Sequence, residues 1–287
     1  MDYSNLEGFI FLDGKLCKWS DAKLHVLSHG LHYASSVFEG ERVYKGKVFK
    51  EKEHTERLIR SAKILGFDIP YNAVEINTIR KKVLTANKID DGYIRPVSWR
   101  GSEMMGISAQ TNTIHFALAA WKWPSYFSPE AKLKGIKLNI SKWRRPDPLT
   151  APVNTKAAGL YMICTLSKHE AESKGFDDSL MLDYRGYIAE ATGANIFFVI
   201  DDKIHTPKPD CFLNGITRRT VIDIAKKNGM QVEERHMLPE DMKNAKECFV
   251  TGTAAEVTPV RQIGDYSFTP GKVCKLLIKK YEELTMS

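Results

Sequence analysis

The chain has 287 residues, 43% hydrophobic and 27% charged, close to the average of a soluble globular protein and long enough for about two domains. The net charge of +7 is spread along the chain, and the nearest thing to a basic cluster is KWRRP at 142–146. A nucleic-acid binder would gather Lys and Arg on one element with interleaved aromatics, so that class is excluded and no nucleic-acid partner is expected.

Strand-like and helix-like runs interleave from the start. FIFLDGKLCKW (9–19) reads as a hairpin turning at Asp13-Gly14, and VFEGERVYKGKVFK (37–50) as a second turning at Lys45-Gly46. EKEHTERLIRSAKILG places Leu58, Ile59, Ala62 and Leu65 at helical spacing, with Gly66 as the stop. Residues 72–86 repeat that pattern, and 92–99 and 112–121 read as strands. WKWPSYFSPEAK (121–132) has two prolines and no period, so the domain boundary falls there. The expected division is a small α/β domain at 1–122, a connecting loop at 123–134 and a large domain at 135–287.

The second half opens on a strand, KGIKLNIS, and an irregular RRPDPLTAP segment. A helix is predicted from about Thr155 to Ser173. SLMLDYRGYIAE and GANIFFVIDDKIHT read as hairpins turning at Gly186 and at Asp201-Asp202. A helix over 217–228 ends at Gly229. ECFVTGTAAEVTPV is a strand, a glycine break and a short strand, and a last helix covers 271–285. The fold class is α+β, with mixed helices and strands.

Cys17, Cys164, Cys211, Cys248 and Cys274 include no CxxC pair, and their spacing fits neither a zinc site nor a disulfide framework. The N-terminal MDYSNLEGF lacks a signal-peptide pattern, and the longest apolar runs, such as IFFVI, are too short to cross a bilayer. A cytoplasmic protein with no membrane partner is expected. His25, His29 and His32 have a spacing that raises a metal site, but no carboxylate accompanies them, and no metal is expected.

Four segments hold residues suited to chemistry. Lys156, in PVNTKAAGLY, has small neighbours that leave room for an approaching group. In the first turn of the predicted helix it would face the positive end of the dipole, which opposes an ammonium and favours a nucleophilic amine. The plain alternative is an ordinary lysine near a helix start. FLNGITRR sets Gly215 before a helix starting at Thr217, where free N–H groups and a hydroxyl would cup a phosphate; the alternative is a simple helix cap. In FVTGTAAEV the small residues Gly252, Thr253 and Ala254 let the backbone approach an anion, unless they only form a bulge. Glu190, in IAEATGAN, stands among small residues with no obvious basic neighbour. A partly buried carboxylate there needs a partner, such as a protonated ring nitrogen, unless it is a surface charge at a hairpin end. Together with the phenol of Tyr161, these parts are those needed to hold pyridoxal 5′-phosphate, PLP.

HGLHYASSVFEGER (29–42), EHTERLIRSAKI (53–64), YIRP (93–96), NTKAAGLY (154–161), IAEATGANIFF (188–198), FLNGITR (212–218) and FVTGTAAEVTPV (249–260) resemble, as an ordered set, the fold-type IV PLP enzymes. They are most similar to the branched-chain amino acid aminotransferases. The resemblance implies a two-domain fold of the D-amino acid aminotransferase type. It makes Lys156 the residue joined covalently to the cofactor and Tyr161 the partner of its 3-oxygen. Glu190 matches the carboxylate on the pyridine nitrogen, Arg57 an arginine on the phosphate, and Leu213 the leucine under the ring. Gly215, Ile216 and Thr217 match the phosphate cup, with Thr253 adding a contact and Gly252 shaping its turn.

On the substrate side the resemblance assigns Tyr93 and Arg95, with the Thr253 and Ala254 amides, to carboxylates. Tyr33, Phe38, Gly40, Met105, Ile107, Trp123 and Tyr126 would line the side-chain pocket. Asn214 and Ala194 depart from the family, where proline and an acidic residue are frequent. The activity implied is amino transfer between leucine, isoleucine or valine and 2-oxoglutarate in branched-chain amino acid biosynthesis. The assembly implied is a homodimer or a hexamer of dimers. D-Amino acid aminotransferase and 4-amino-4-deoxychorismate lyase share the fold and stand as alternatives. A non-catalytic phosphate-ligand binder would leave Lys156, Tyr161 and Glu190 unexplained. Arg57 has its own plain alternative, an i,i+4 pair with Glu53 on a solvated helix face.

Overall fold

The computed structural model describes residues 2–123, 130 and 134–287. The chain divides into two compact units, Met1–Pro124 with Thr155–Gly159, and Ser125–Asn154 with Leu160–Ser287.

The first unit is built on β1 (Phe9–Leu12), β2 (Lys15–Lys18), β3 (Ser36–Phe38), β4 (Glu41–Tyr44), β5 (Lys47–Val48), β6 (Gly92–Arg100) and β7 (Ile114–Trp121). They pair in the order β2-β1-β7-β6-β4-β5, with β3 also on β6. The two sequence-read hairpins are present. Asp13 and Lys45 take left-handed φ values of 43° and 49° at their turns, each followed by a glycine that adopts positive φ without strain. Helices α2 (Glu51–Ile64) and α3 (Ala73–Asn87) cover the sheet, after a short α1 (His29–Tyr33). Asn72 and Glu75 cap α3 reciprocally. Leu58, Ala62, Ile76, Ile79 and Val83 from the helices meet Val43, Ile94, Phe116 and Leu118 from the strands in one core.

The second unit holds β8 (Ile136–Arg145), β9 (Asp178–Asp183), β10 (Ile188–Ala191), β11 (Asn195–Ile200), β12 (Lys203–Pro207), β13 (Val232–Arg235), β14 (Glu247–Gly252), β15 (Glu256–Ile263) and β16 (Tyr266–Ser267). Their order is β10-β9-β8-β15-β14-β11-β12-β13, and β10 also pairs with β11, so six of the strands close on themselves. The closing pair is Glu190 opposite Asn195. β9 and β15 both run parallel to β8, which lies between them. Ile136, Leu138, Leu180, Ile196, Phe198, Val250 and Val260 form the core. Helix α4 (Met162–Ser173) packs on β8 and β9, while α5 (Ile216–Lys227) and α6 (Lys272–Thr285) pack on β14 and on each other. Among the described residues no helix is long and apolar enough to cross a membrane.

Three sequence expectations are corrected. The helix expected from Thr155 begins at Met162, after a 3₁₀ turn at Ala158–Tyr161. The backbone of Lys156 is used elsewhere: its carbonyl accepts from Phe38 N at 3.2 Å, its N–H donates to Ser61 Oγ at 3.1 Å, and Ala157 bridges to Val37. Arg144 and Arg145, expected in an irregular segment, are the last two residues of the ten-residue β8. The strand after the glycine break, expected to be short, runs for eight residues.

Candidate active site

In the first unit the predicted residues gather around Phe38. Lys156 Nζ lies 4.6 Å from the centre of that ring, and Arg95 Cζ lies 4.8 Å from it. Lys156 is thus held by the bridge to β3, not in the first turn of a helix, and the dipole argument does not apply to it. Arg95 Nη2 also reaches Tyr93 Oη at 3.4 Å. Buried Arg95 Nε has no hydrogen-bond partner among the described residues, which leaves a donor for an anion. Gly40 allows the buried Tyr93 to sit where it does, since a Cβ at 40 would fall 1.8 Å from the Tyr93 hydroxyl. The Trp123 ring stands 5.1 Å from that of Tyr93.

Tyr33, Met105 and Ile107 form an exposed group. Tyr33 donates to the Met105 carbonyl at 3.2 Å, and Ile107 is 82% exposed. Tyr126 lies outside the described residues. The three histidines hold different partners: His25 accepts from Leu27 N, His29 contacts Ser35 and Gly106, and His32 contacts Val26.

Arg57 is buried on the inner face of α2. It does not pair with Glu53, which is bound by Lys50 at 2.8 Å. It makes a bidentate contact with the fully buried Glu39, Nε to Oε1 at 2.5 Å and Nη2 to Oε2 at 2.8 Å. His54 Nδ1 approaches the same carboxylate at 2.7 Å. Burial pushes the Glu39 carboxyl up, but Arg57 and His54 together hold it well below its ordinary value. Glu39 and His54 are functional candidates that the sequence reading misses. The available signal is an arginine on the apolar face of a helix, which requires a buried counter-charge.

In the second unit Glu190 has the basic neighbour that its sequence surroundings lack. Arg145 Nε stands 3.4 Å from Glu190 Oε1, as an ion pair without hydrogen-bond alignment. Arg145 Nη1 donates to the Leu160 carbonyl at 3.3 Å. Burial opposes the charge of Arg145, but Glu190, Cys164 and Tyr161 outweigh it and raise its pKa. The same burial pushes the Cys164 thiol up to about 11, so it stays neutral beside the pair. Asn195 Nδ2 donates to Glu190 Oε2 at 3.1 Å and to the Leu213 carbonyl at 3.0 Å. Its Oδ1 accepts from Gly215 N at 3.1 Å. Gly215 is the N-cap of α5, and Ile216 and the buried Thr217 open its first turn with no side-chain cap. Their N–H groups have no intrahelical acceptor and suit an anion. Gly252 ends β14, and Thr253 and Ala254 lie in the turn to β15; a Cβ on Gly252 would come within 3.2 Å of the Gly193 carbonyl.

One other group could be read as metal ligands. Asp183, Asp210 and Cys211 lie within 4.8 Å of one another. Arg185 occupies both carboxylates, at 2.7 and 2.8 Å, and burial pushes the Cys211 thiol up to about 12, so the cluster is an internal ion-pair network.

Residues 36–263 match the family Amino-transferase class IV. The chain belongs to that family. A probable branched-chain-amino-acid aminotransferase of Rickettsia felis is 47% identical over 254 residues, 88% of this chain and 86% of that protein. The crystal structure of a branched-chain amino acid aminotransferase from Escherichia coli superposes with a TM-score of 0.94 at 36% identity, covering 98% of this chain and 95% of the other. The T.th. branched-chain amino acid aminotransferase complexed with N-(5′-phosphopyridoxyl)-L-glutamate gives a TM-score of 0.93 at 38% identity, again over 98% and 95% of the two chains. The fold of this class IV aminotransferase is therefore fold-type IV, an α+β architecture.

The donor set fits a phosphorylated pyridine aldehyde. An amine, a carboxylate held next to a buried arginine, a phenol and an open helix N-terminus are all present. A side chain at Gly215 would crowd the Asn195 carboxamide, and one at Gly252 would crowd the Gly193 carbonyl.

Proposed function

We propose that the chain transfers amino groups between L-leucine, L-isoleucine or L-valine and 2-oxoglutarate, giving branched 2-oxo acids and L-glutamate, with PLP as cofactor. The observation that carries this reading is the Arg145–Glu190–Asn195 arrangement leading into the α5 N-terminus. It supplies a charged carboxylate at one end and phosphate donors at the other. The glutamate adduct bound by the T.th. relative supports glutamate as one of the two amino acids.

Bound PLP would supply a ring that accepts the electrons left when a proton leaves the substrate α-carbon. Lys156 would be its covalent attachment point, and the same amine would take the α-proton and return it. Glu190 would keep the ring nitrogen protonated. A shift of one pKa unit corresponds to about 1.4 kcal/mol, so a charged carboxylate at contact distance decides that protonation. Arg145 would keep Glu190 ionised, and Tyr161 would bond the ring oxygen. Leu213 would support the ring. Arg57, Ile216, Thr217 and Thr253 would take the phosphate, with Gly215 and Gly252 keeping their turns open.

Arg95 and Tyr93, with the Thr253 and Ala254 amides, would hold substrate carboxylates. Phe38, Gly40, Met105, Ile107, Trp123, Tyr33 and Tyr126 would bound the side-chain pocket. One methylene is worth about 1–3 kcal/mol in such a pocket, so selection among the three aliphatic substrates would be modest. The exposure of Tyr33, Met105 and Ile107 fits a homodimer or a hexamer of dimers in which a second copy covers them. The division proposed is a small α/β domain at 1–122, a connecting loop at 123–134 and a large PLP-binding domain at 135–287. Five free cysteines suit a cytoplasmic setting.

The test is hydride trapping followed by a donor panel. Protein incubated with PLP and borohydride should gain one pyridoxyl group on Lys156. Leucine, isoleucine and valine should then yield glutamate from 2-oxoglutarate. An unmodified lysine, or D-alanine turned over as well as leucine, would reject the assignment.

A further inference from the structure

Asn195 is 4% exposed and has no role in the sequence pattern, yet its one carboxamide touches both halves of the proposed cofactor cradle. Its Nδ2 holds Glu190 Oε2 at 3.1 Å and the Leu213 carbonyl at 3.0 Å, and its Oδ1 holds Gly215 N at 3.1 Å. Its backbone is fixed as well, opposite Glu190 in β10 and opposite Thr251 in β14. A side chain anchored in this way has no alternative rotamer that keeps three bonds.

We infer that Asn195 is a positioning residue that locks the carboxylate of Glu190 to the N-terminus of α5, so the ring-nitrogen end and the phosphate end of the cradle move as one. The inference rests on the cofactor reading above. It also explains Gly215. The backbone there, φ −60° and ψ 144°, suits any residue, so glycine is not required by conformation. A Cβ would instead fall 2.2 Å from Asn195 Oδ1, with no other atom closer than 3.4 Å. The glycine is there because the amide is there. An alanine at 215 must displace that amide and, through it, Glu190.

The coupling is tested with pyridoxal, which lacks the phosphate and so has no direct use for the α5 N-terminus. Dissociation constants for pyridoxal and PLP are measured on wild type, Gly215→Ala, Asn195→Ala and the double variant, with thermal midpoints of each unliganded protein. A disturbed buried hydrogen bond of this kind costs about ten-fold in affinity. Gly215→Ala should therefore weaken pyridoxal about ten-fold although it lies at the phosphate end. Asn195→Ala should do the same, and the double variant should be no weaker than Asn195→Ala alone.

If Gly215→Ala weakens PLP but leaves pyridoxal unchanged, or if the two effects multiply, the coupling is overturned while the cofactor reading stands. Wild-type protein that binds neither compound overturns both. If Asn195→Ala does not fold, the pyridoxal response of Gly215→Ala decides the matter on its own.

Discussion

The amine of Lys156 lies 4.6 Å from the centre of the Phe38 ring, and the backbones of the two residues are tied by the Phe38 N–H to the Lys156 carbonyl at 3.2 Å. Arg95 shares the ring. One aromatic ring therefore contacts both the proposed nucleophile and the proposed carboxylate receptor. Cation–π contacts are worth about 0.5–2 kcal/mol each. Phe38→Leu should keep the fold, lower kcat about ten-fold and raise KM for leucine. Steady-state kinetics with circular dichroism would check this, and unchanged kinetics would refute a shared orienting role.

Gly40 and Tyr93 make a steric prediction. A methyl group at 40 would fall 1.8 Å from the Tyr93 hydroxyl, so Gly40→Ala must displace that ring and, with it, Arg95. Overpacking of this kind costs about 1–3 kcal/mol. KM for 2-oxoglutarate should rise at least several-fold. The companion variant Gly40→Ala/Tyr93→Phe should recover part of the stability, as read by the thermal midpoint, because it removes the oxygen that clashes.

Glu39 predicts a pH signature. Arg57 and His54 overcome burial and hold its carboxyl below the ordinary value of 4.5. A depressed carboxyl contributes stability above its unfolded value and loses it as the pH falls. Breaking a buried pair costs about 3–5 kcal/mol. Glu39→Gln should therefore be destabilised by that order at pH 7, and the gap to wild type should narrow below pH 4.5. Denaturant titrations from about pH 7 to pH 3 would measure it. A gap that stays constant with pH would mean that the carboxylate charge is not what stabilises Arg57.

Arg145→Gln leaves Glu190 with Asn195 but without its cation. The buried carboxylate then favours its neutral form. Turnover should fall by about two orders of magnitude, the scale expected when acid–base groups lose the correct protonation state. PLP should still be trapped on Lys156 by borohydride. Trapping lost together with activity would place Arg145 in cofactor binding instead.

Local chemistry makes much of this legible. Both first-unit hairpins follow from Asp-Gly and Lys-Gly turns between alternating strands, and α2 and α3 follow from their apolar stripes. Residues within one motif, such as Gly215 with Thr217, can be grouped from sequence because a single turn holds them. What sequence does not carry is pairing over distance. Arg145 meets Glu190 across 45 positions, from β8 to β10, and in sequence it reads as part of the KWRRP basic run. Glu39 meets Arg57 across a strand and a helix. Lys156 reads as helical because NTKAAGLY has helix-forming residues. Its peptide groups are instead engaged by β3 and Ser61, a tertiary demand that outweighs local propensity.

The six-stranded closure has a consequence for biosynthesis of the chain itself. β8 leaves the ribosome about midway through the sequence, yet one of its neighbours, β15, is translated more than a hundred residues later. The nascent polypeptide must therefore wait with that edge exposed, and contacts of such long sequence separation form slowly. A chain released before β15 is made would carry Lys156, Glu190 and Asn195 but lack the strand that joins β8 to β14. Vitamin binding would thus report that synthesis has passed β15.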